Sequence, residues 1–422
     1  MMIQYGIAPP RVLLPKEKME QWAVIACDQY TSEAAYWQAC DEFVGDVPST
    51  LRMILPEAYL GRPDEEALIA QAKQCMQQYL NDSVLHELEQ GFVLVKRQTS
   101  DGERIGLVVS MDLEHYNYKK GAKSLIRPTE DTIEDRIPPR LRIRRGAALE
   151  TPHIMVLLDD ENQTVIEPLL QKTLPLLYDF NLMQNGGHIA GHLVGEQHFP
   201  AIEQALSRLA QNNSMLYAVG DGNHSLATAK AHWEEVKQTL SHEQQQDHPA
   251  RFALVELVNL HSDGLVFHPI HRVVFDYPDT MEYLLAHMQG ATVTYYETQQ
   301  LAQQALSDTS GVHAVIINAY GKWGVFSMQP THNIPYGTLQ PVLEQMARET
   351  GAVVDYIHGD DSLEELSKNG IGFFMPSMEK GTLFTTVEQY GALPKKTFSM
   401  GLAQDKRYYL ECKRIIVKQL EK

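Results

Sequence analysis

The chain has 422 residues, 44% hydrophobic and 21% charged. That is the balance of a globular enzyme, and the length calls for two or three subdomains. A formal net charge of −18 argues against a nucleic-acid partner, which needs a basic surface, and no apolar run approaches the roughly 18 residues of a membrane span. The four cysteines, Cys27, Cys40, Cys75 and Cys412, show neither metal nor disulfide spacing, and the opening residues lack the basic and apolar regions of a signal peptide. Reduced thiols and a cytoplasmic location are therefore expected.

In chain order the pattern is that of an α/β protein with mixed sheets. It divides into an N-terminal α/β region (1–105), a core (106–250) and a C-terminal α/β region (251–422). Residues 22–26 read as a short buried strand, and a helix capped by Thr31 or Ser32 follows. Residues 63–88 read as helical. Residues 91–97 and 105–111 read as strands joined by an Asp101-Gly102 hairpin turn. In the core, 154–158 is a buried strand, 200–210 a helix with apolar residues at Ile202, Ala205, Leu206 and Leu209, and 215–219 another strand. The Gln/His-rich stretch 241–248 reads as a surface loop. Further on, 252–258, 314–317, 323–326 and 372–375 read as strands, and 339–349 and 362–368 as helices.

The most informative stretch is Gly220-Asp221-Gly222-Asn223-His224-Ser225. It lies between an apolar strand and a helical pattern, so it sets a carboxylate, an imidazole and a hydroxyl at a helix N-terminus. Free N–H groups and the helix dipole there favour anions, phosphate above all. The plainer reading is a strand-to-helix turn with Asp221 or Asn223 as N-cap.

Other segments combine similar chemistry. Arg127-Pro128-Thr129-Glu130-Asp131-Thr132 and the following Asp135-Arg136 are too polar for a core. They read either as a solvated loop or as a source of a catalytic carboxylate with arginines for phosphate. Residues 136–145 hold five arginines in ten positions, a local basic patch suited to a phosphorylated small molecule. His268-Pro269-Ile270-His271-Arg272 reads as a turn after a strand, and Lys395-Lys396-Thr397 sets lysines beside a hydroxyl. Asp28 and Tyr30 follow the 22–26 segment at a common location for site residues in α/β folds. His188 and His192 have the spacing of metal ligands, but their glycine neighbours weigh against a helix. No Walker A, Gly-x-Gly-x-x-Gly or Gly-x-Ser-x-Gly sequence is present, which removes the support for P-loop kinase, dinucleotide-dehydrogenase and α/β-hydrolase readings.

Taken together, these segments resemble, in order and over nearly the whole chain, a prokaryotic family known as domain of unknown function ten-fifteen. Gly220–Ala229 resembles its Asp-Gly-His-His-Arg-Tyr-x-Thr-Ala motif, and Arg127–Thr132 its Arg-x-His-Glu-x-Thr segment. Leu265–Arg272 resembles its Leu-x-x-x-Pro-Thr-His-Arg segment and Leu393–Phe398 its Met-Pro-x-Lys-Ser-Thr segment. Asp28 and Tyr30 resemble its Pro-Tyr-Asp region. This chain departs from the pattern at Asn223, Ser225 and Thr129, where the family has His, Arg and His. The lost arginine removes a bidentate phosphate clamp. The arrangement is also similar to the ParB/sulfiredoxin-like fold, whose members bind nucleoside triphosphates and include kinases for free serine.

The resemblance implies a ParB-like core between two α/β regions, and a kinase acting on a small hydroxyl compound such as serine with ATP or ADP and Mg2+. Asp221 would position or deprotonate the acceptor, or hold Mg2+ through water. Glu130 would be the second carboxylate. His224, Gly220, Gly222, Asn223 and Ser225 would cradle phosphate, and Arg127, Arg136, His271, Arg272 and Lys396 would neutralise it. Asp28, Tyr30 and Thr132 are further candidates. Nucleotide and a small hydroxyl substrate are the implied partners, with a homodimer conceivable and neither nucleic acid nor membrane expected. The alternatives are a nucleotide-binding switch that binds a protein partner without metabolic catalysis, and a phosphate-ester hydrolase.

Overall fold

The computed structural model describes residues 2–307 and 309–417, apart from the side chain of Asn212. The architecture is mixed α/β, as expected. The chain forms two compact units. Residues 1–266 and 401–422 make the first, and 267–400 the second. These borders differ from those at 105 and 250. Residue 105 lies inside the strand Gly102–Asp112, and residue 250 directly precedes the strand Phe252–Asn259 of the same sheet.

The first unit is built on one mixed sheet. Its strands run in the order Ile126–Pro128, Tyr217–Asp221, Met155–Leu158, Phe252–Asn259, Gly102–Asp112, Phe92–Thr99, His188–Val194 and Leu176–Asn181. Tyr217–Asp221 lies parallel to Ile126–Pro128 and antiparallel to Met155–Leu158. Strand side chains alternate between faces, and both faces are covered, so the strands read as continuous apolar runs. Phe92, Leu94, Val255 and Leu257 pack with Ile202 and Leu206 of helix Phe199–Asn212 and with Leu226 and Trp233 of helix Asn223–Lys237. Val93, Val95 and Leu254 face Trp22, Met76, Tyr79 and the C-terminal Leu410 and Cys412.

The second face also carries a buried polar group. Glu256 Oε2 accepts hydrogen bonds from Arg104 Nη2 at 2.8 Å and from Tyr409 Oη at 2.9 Å. Gly106 leaves room for this carboxylate, since a Cβ there would stand 2.2 Å from Glu256 Oε1. The segment 405–415 is thus part of the first unit's core. Tyr408 N donates to Val24 O, Tyr409 N to Pro152 O, and Lys413–Arg414 pairs with Leu149–Glu150.

The second unit is an antiparallel sheet in the order Thr292–Tyr296, Lys322–Met328, His313–Ala319, Ile371–Phe374, Phe267–Phe275 and Val353–His358, with Phe398–Met400 on the start of Phe267–Phe275.

Several local expectations are corrected. Residues 22–26 are buried but form no strand. Trp22 to Ala26 follow an irregular path with a single bridge, Ile25 to Arg407. The next helix begins at Ala34, with Glu33 rather than Thr31 or Ser32 at its N-cap. The helix expected over 63–88 is Glu65–Asn81, and the strand Leu85–Glu87 follows it. Residues 241–248 contain the helix His242–Asp247, started by a Ser241/Gln244 capping box. Residues 267–272 are strand, not turn.

Gly222 is the N-cap of the helix after the turn, with φ of 80°, a conformation that only glycine adopts readily. An added Cβ would come within 3.1 Å of the Ile154 Cα. Gly222→Ala is expected to lower stability by about 1–2 kcal/mol and the melting midpoint by several degrees. A melt matching wild type would show that the turn does not need the left-handed backbone.

Candidate functional site

The turn after Tyr217–Asp221 is shaped by its glycines. The pairing with Met155–Leu158 shifts register between Val219 and Asp221, which leaves Gly220 as the extra residue of a bulge. Asp221 then ends the strand and Gly222 starts the helix. No side chain caps this helix, so neither Asp221 nor Asn223 is its N-cap. Asp221 Oδ1 instead accepts from the Gly222 N–H at 2.7 Å.

Asp221 Oδ2 meets the Lys406 ammonium at 3.2 Å. Lys406 arrives from the C-terminal segment and is placed by its own main chain, since Ala26 N donates to Lys406 O at 2.8 Å. That contact brings Asp28 to the same cation. Burial by itself would lower the Lys406 pKa, but the Asp221, Asp28 and Glu130 carboxylates outweigh it and hold the ammonium above its ordinary value. Asp221 thus contacts the lysine directly, while Asp28 and Glu130, from two other stretches of chain, act on it through their charge.

Asp28 has a second neighbour in His153. Burial would raise its carboxyl, but His153, then a 3.0 Å hydrogen bond from Gln29 Nε2, then Lys406 hold it below the ordinary value. His153 lies just before the strand Met155–Leu158, between carbonyls that are both engaged. Pro152 O accepts from Tyr409 N, and Ile154 O accepts from Glu256 N and Tyr409 Oη. The His153 ring packs edge-on against Tyr408 at 5.0 Å, and its Nε2 lies 3.3 Å from Ser225 Oγ.

A cavity of about 150 Å3 opens beside these groups. Arg140, His153, Ser225 and Thr228 give it polar edges, while Ile54, Leu55, Ile143 and Leu254 supply apolar wall. Arg140 pairs with Glu57. Burial raises the Glu57 carboxyl and Arg140 opposes the shift. Cys27 also lines the cavity, but burial and the nearby Asp28 push its thiol up to about 12, so it is not a reactive thiolate at neutral pH.

The other expected residues are placed as follows. Thr129 Oγ1 donates to Val219 O at 2.7 Å and fastens the Glu130 loop to the strand that carries Asp221. Thr132 lies against buried Tyr116. His224 Nε2 accepts from the Ile133 N–H at 3.2 Å, which ties the helix start to the same loop. Asn223 Oδ1 is buried with no hydrogen-bond partner. Tyr30 stacks on Tyr36 at 4.2 Å, and its carbonyl accepts from Trp37 Nε1. Arg136 is exposed and acts on Glu57.

Arg127 does not turn toward Asp221. Its Nε donates to Ser124 O and its Nη2 to Ser214 Oγ, at the opposite end of the Tyr217–Asp221 strand. His271, Arg272 and Lys396 belong to the second unit. There Met375 N donates to His271 Nδ1, and His271 Nε2 bonds Asp360 at 2.8 Å. Arg272 is buried between Tyr336 and Tyr356 and donates to Gln340 Oε1 and to the carbonyls of Lys395 and Lys396. Its visible role is to hold the 395–396 turn. His188 and His192 lie on a strand, His188 Nε2 being 2.8 Å from Asp179.

Lys406, His153 and Glu57 were not singled out in the sequence, whereas Arg140 belongs to the arginine patch of residues 136–145. His153 had a usable signal, because it precedes a strand that runs antiparallel to the one ending at Asp221. Lys406 sits in the charged, aromatic run Asp405-Lys406-Arg407-Tyr408-Tyr409, which is too polar to be core by pattern, yet every member but the half-buried Lys406 is buried.

For Mg2+, carboxylate oxygens are the right donors, and a surplus of them surrounds Lys406. Among the described residues, no three His, Cys, Asp or Glu side chains stand close enough to hold a metal by themselves. The set fits an ion shared with phosphate oxygens rather than a protein cage.

Fold and site together define a mixed α/β protein with an acidic, lysine-centred turn at the start of a helix. The chain belongs to the family described as protein of unknown function (DUF1015), matched over residues 7–421. No curated protein matches it. Among solved structures it is similar to a conserved hypothetical protein from Pyrococcus furiosus, at 12% identity, with 70% of this chain and 90% of that one covered and a TM-score of 0.37. It is similar to a free serine kinase in complex with AMP at 12% identity, covering 71% and 90%, with a TM-score of 0.39. A mutant free serine kinase in complex with ADP gives 12%, 74% and 93%, with a TM-score of 0.40. No described helix is long and apolar enough to cross a membrane.

Lys406→Met is expected to destabilise the protein by about 2–3 kcal/mol, below the fully buried limit because both partners keep about a fifth of their exposure. The signs set its pH window. Asp28 titrates below its ordinary 3.8, so its contribution is complete above about pH 4 and is lost as pH falls through the depressed value. Lys406 titrates above 10.5, so its contribution is complete below that value and is lost as pH rises through the raised one. Denaturant melts of wild type and variant should therefore differ most from about pH 5 to 9 and converge in acid. A difference that grows in acid would contradict the pairing.

Proposed function

We propose that this chain is a nucleotide-dependent kinase that transfers a phosphoryl group to the hydroxyl of a small metabolite, free serine or a similar amino acid. The observation that carries the reading is the Asp221–Lys406 ion pair at the N-terminus of helix Asn223–Lys237, with the charges of Asp28 and Glu130 acting on the same ammonium. Phosphoryl transfer depends mainly on positioning and charge neutralisation, and this cluster supplies both. Asp221 orients the acceptor hydroxyl and takes its proton, with Glu130 as the second carboxylate. The first-turn N–H groups of the helix receive phosphate oxygens. Arg140 and Arg136 add positive charge at the Glu57 side of the cavity.

Mg2+ and the choice of ATP or ADP belong to this proposal. The excess of carboxylates over cations repels a bare polyphosphate and favours one whose charge is neutralised by a divalent ion. A cytoplasmic location, supported by four cysteines that stand as free thiols, and a homodimer belong to it as well.

Phosphorus NMR of reactions holding ATP or ADP, Mg2+ and a panel of serine-like alcohols tests the reading. A phosphomonoester signal that depends on the acceptor is expected. Asp221→Asn and Glu130→Gln should each slow it by about a hundredfold or more. Full turnover in both variants would remove the assignment, and nucleotide binding without any phosphorylated product would leave a switch instead.

A further inference from the structure

The Ser225 hydroxyl, near the start of its helix, has a base beside it. Ser225 Oγ lies 3.3 Å from His153 Nε2. The imidazole is held between the engaged carbonyls of Pro152 and Ile154 and against Tyr408. A serine hydroxyl beside an imidazole fixed in this way is the pairing that activates a nucleophile. Ser225 and His153 both line the 150 Å3 cavity, with Arg140 and Thr228 at its edge, so the hydroxyl opens onto space a substrate can enter. Ser225 is also the third residue of its helix, where a bound phosphoryl group lies within the positive end of the helix dipole.

We propose that Ser225 is a His153-activated nucleophile that carries the phosphoryl group covalently between nucleotide and acceptor, an inference that rests on the kinase reading above. In the first half-reaction the Ser225 Oγ–phosphorus bond forms and the bond from the terminal phosphorus to its bridging oxygen breaks. The electron pair leaves with the shortened nucleotide, and the hydroxyl proton passes to His153 Nε2. In the second, the acceptor oxygen bonds to phosphorus and the Oγ–phosphorus bond breaks. Oγ recovers its proton from His153, and the acceptor's proton passes to Asp221.

The nucleophile is tested first without nucleotide, by intact-protein and peptide mass measurement after exposure to a fluorophosphonate probe. One adduct per chain, on Ser225, is expected. It should be lost in Ser225→Ala and form at least tenfold more slowly in His153→Gln, with melting curves confirming that both variants are folded. No adduct on Ser225, or equal rates in wild type and His153→Gln, overturns the inference whatever nucleotides do. Acid-quenched reactions with ATP and Mg2+ form the second arm, in which wild type should carry a phosphoryl group on Ser225. Phosphorylated product formed without that adduct, with Ser225→Ala turning over at the wild-type rate, also overturns the inference while leaving the kinase reading intact.

Discussion

The site depends on one electrostatic arrangement, the Lys406 ammonium set among the Asp221, Asp28 and Glu130 carboxylates. The ion pair with Asp221 holds the ammonium at the start of the helix, and the charges of Asp28 and Glu130 act on it as well. Without the lysine, the Asp221 carboxylate would lose its cationic partner at a half-buried position. The lysine also binds the ends of the chain together, since its backbone pairs with the Ala26 region while its side chain meets the central turn.

The surrounding fold keeps that lysine in place. Segment 405–415 runs along one face of the main sheet and ties to it through polar contacts inside the core. Tyr409 bonds Glu256, which in turn holds Arg104, and Tyr178 Oη donates to Glu411 at 2.7 Å. Burial pushes the Glu411 carboxyl up to about 7. Such groups contribute little net stability, because desolvation offsets much of their attraction. They do fix which residue faces which, and a shift of segment 405–415 along the sheet would cost buried Glu256 its Tyr409 hydrogen bond and part Glu411 from Tyr178. The register that puts Lys406 opposite Asp221 is thereby specified by contacts outside the site.

Much of this could be read in the sequence where the signal was local. The Gly220–Ser225 turn, the apolar strand before it and the helix after it required only neighbouring residues, and Gly222 at a positive φ explains the second glycine. Thr129 and Glu130 follow the strand Ile126–Pro128, which lies beside Tyr217–Asp221, so a stretch 90 residues away in the chain stands next to the turn. Sequence reading failed where partners come from far along the chain. Lys406 is separated from Asp221 by almost half the protein, and its neighbours Tyr408 and Tyr409 look like surface residues until the core around Glu256 is seen. Arginines were overcounted for a different reason. Arg127 and Arg272 spend their guanidinium groups on backbone carbonyls and neighbouring side chains, a use that composition does not distinguish from phosphate binding. Residues 22–26 were misread as strand because full burial gives an irregular segment the same apolar run.

The measurement that bears most directly on the account is a calorimetric titration of ATP with Mg2+ into wild type and Lys406→Met at pH 7, with folding of the variant confirmed beforehand. The account predicts saturable binding by wild type and at least a tenfold weaker affinity in the variant, about 1.4 kcal/mol, because loss of the ammonium leaves uncompensated negative charge beside the helix N-terminus proposed to take the phosphate. Equal affinities, or no binding of any nucleotide by wild type, would contradict it.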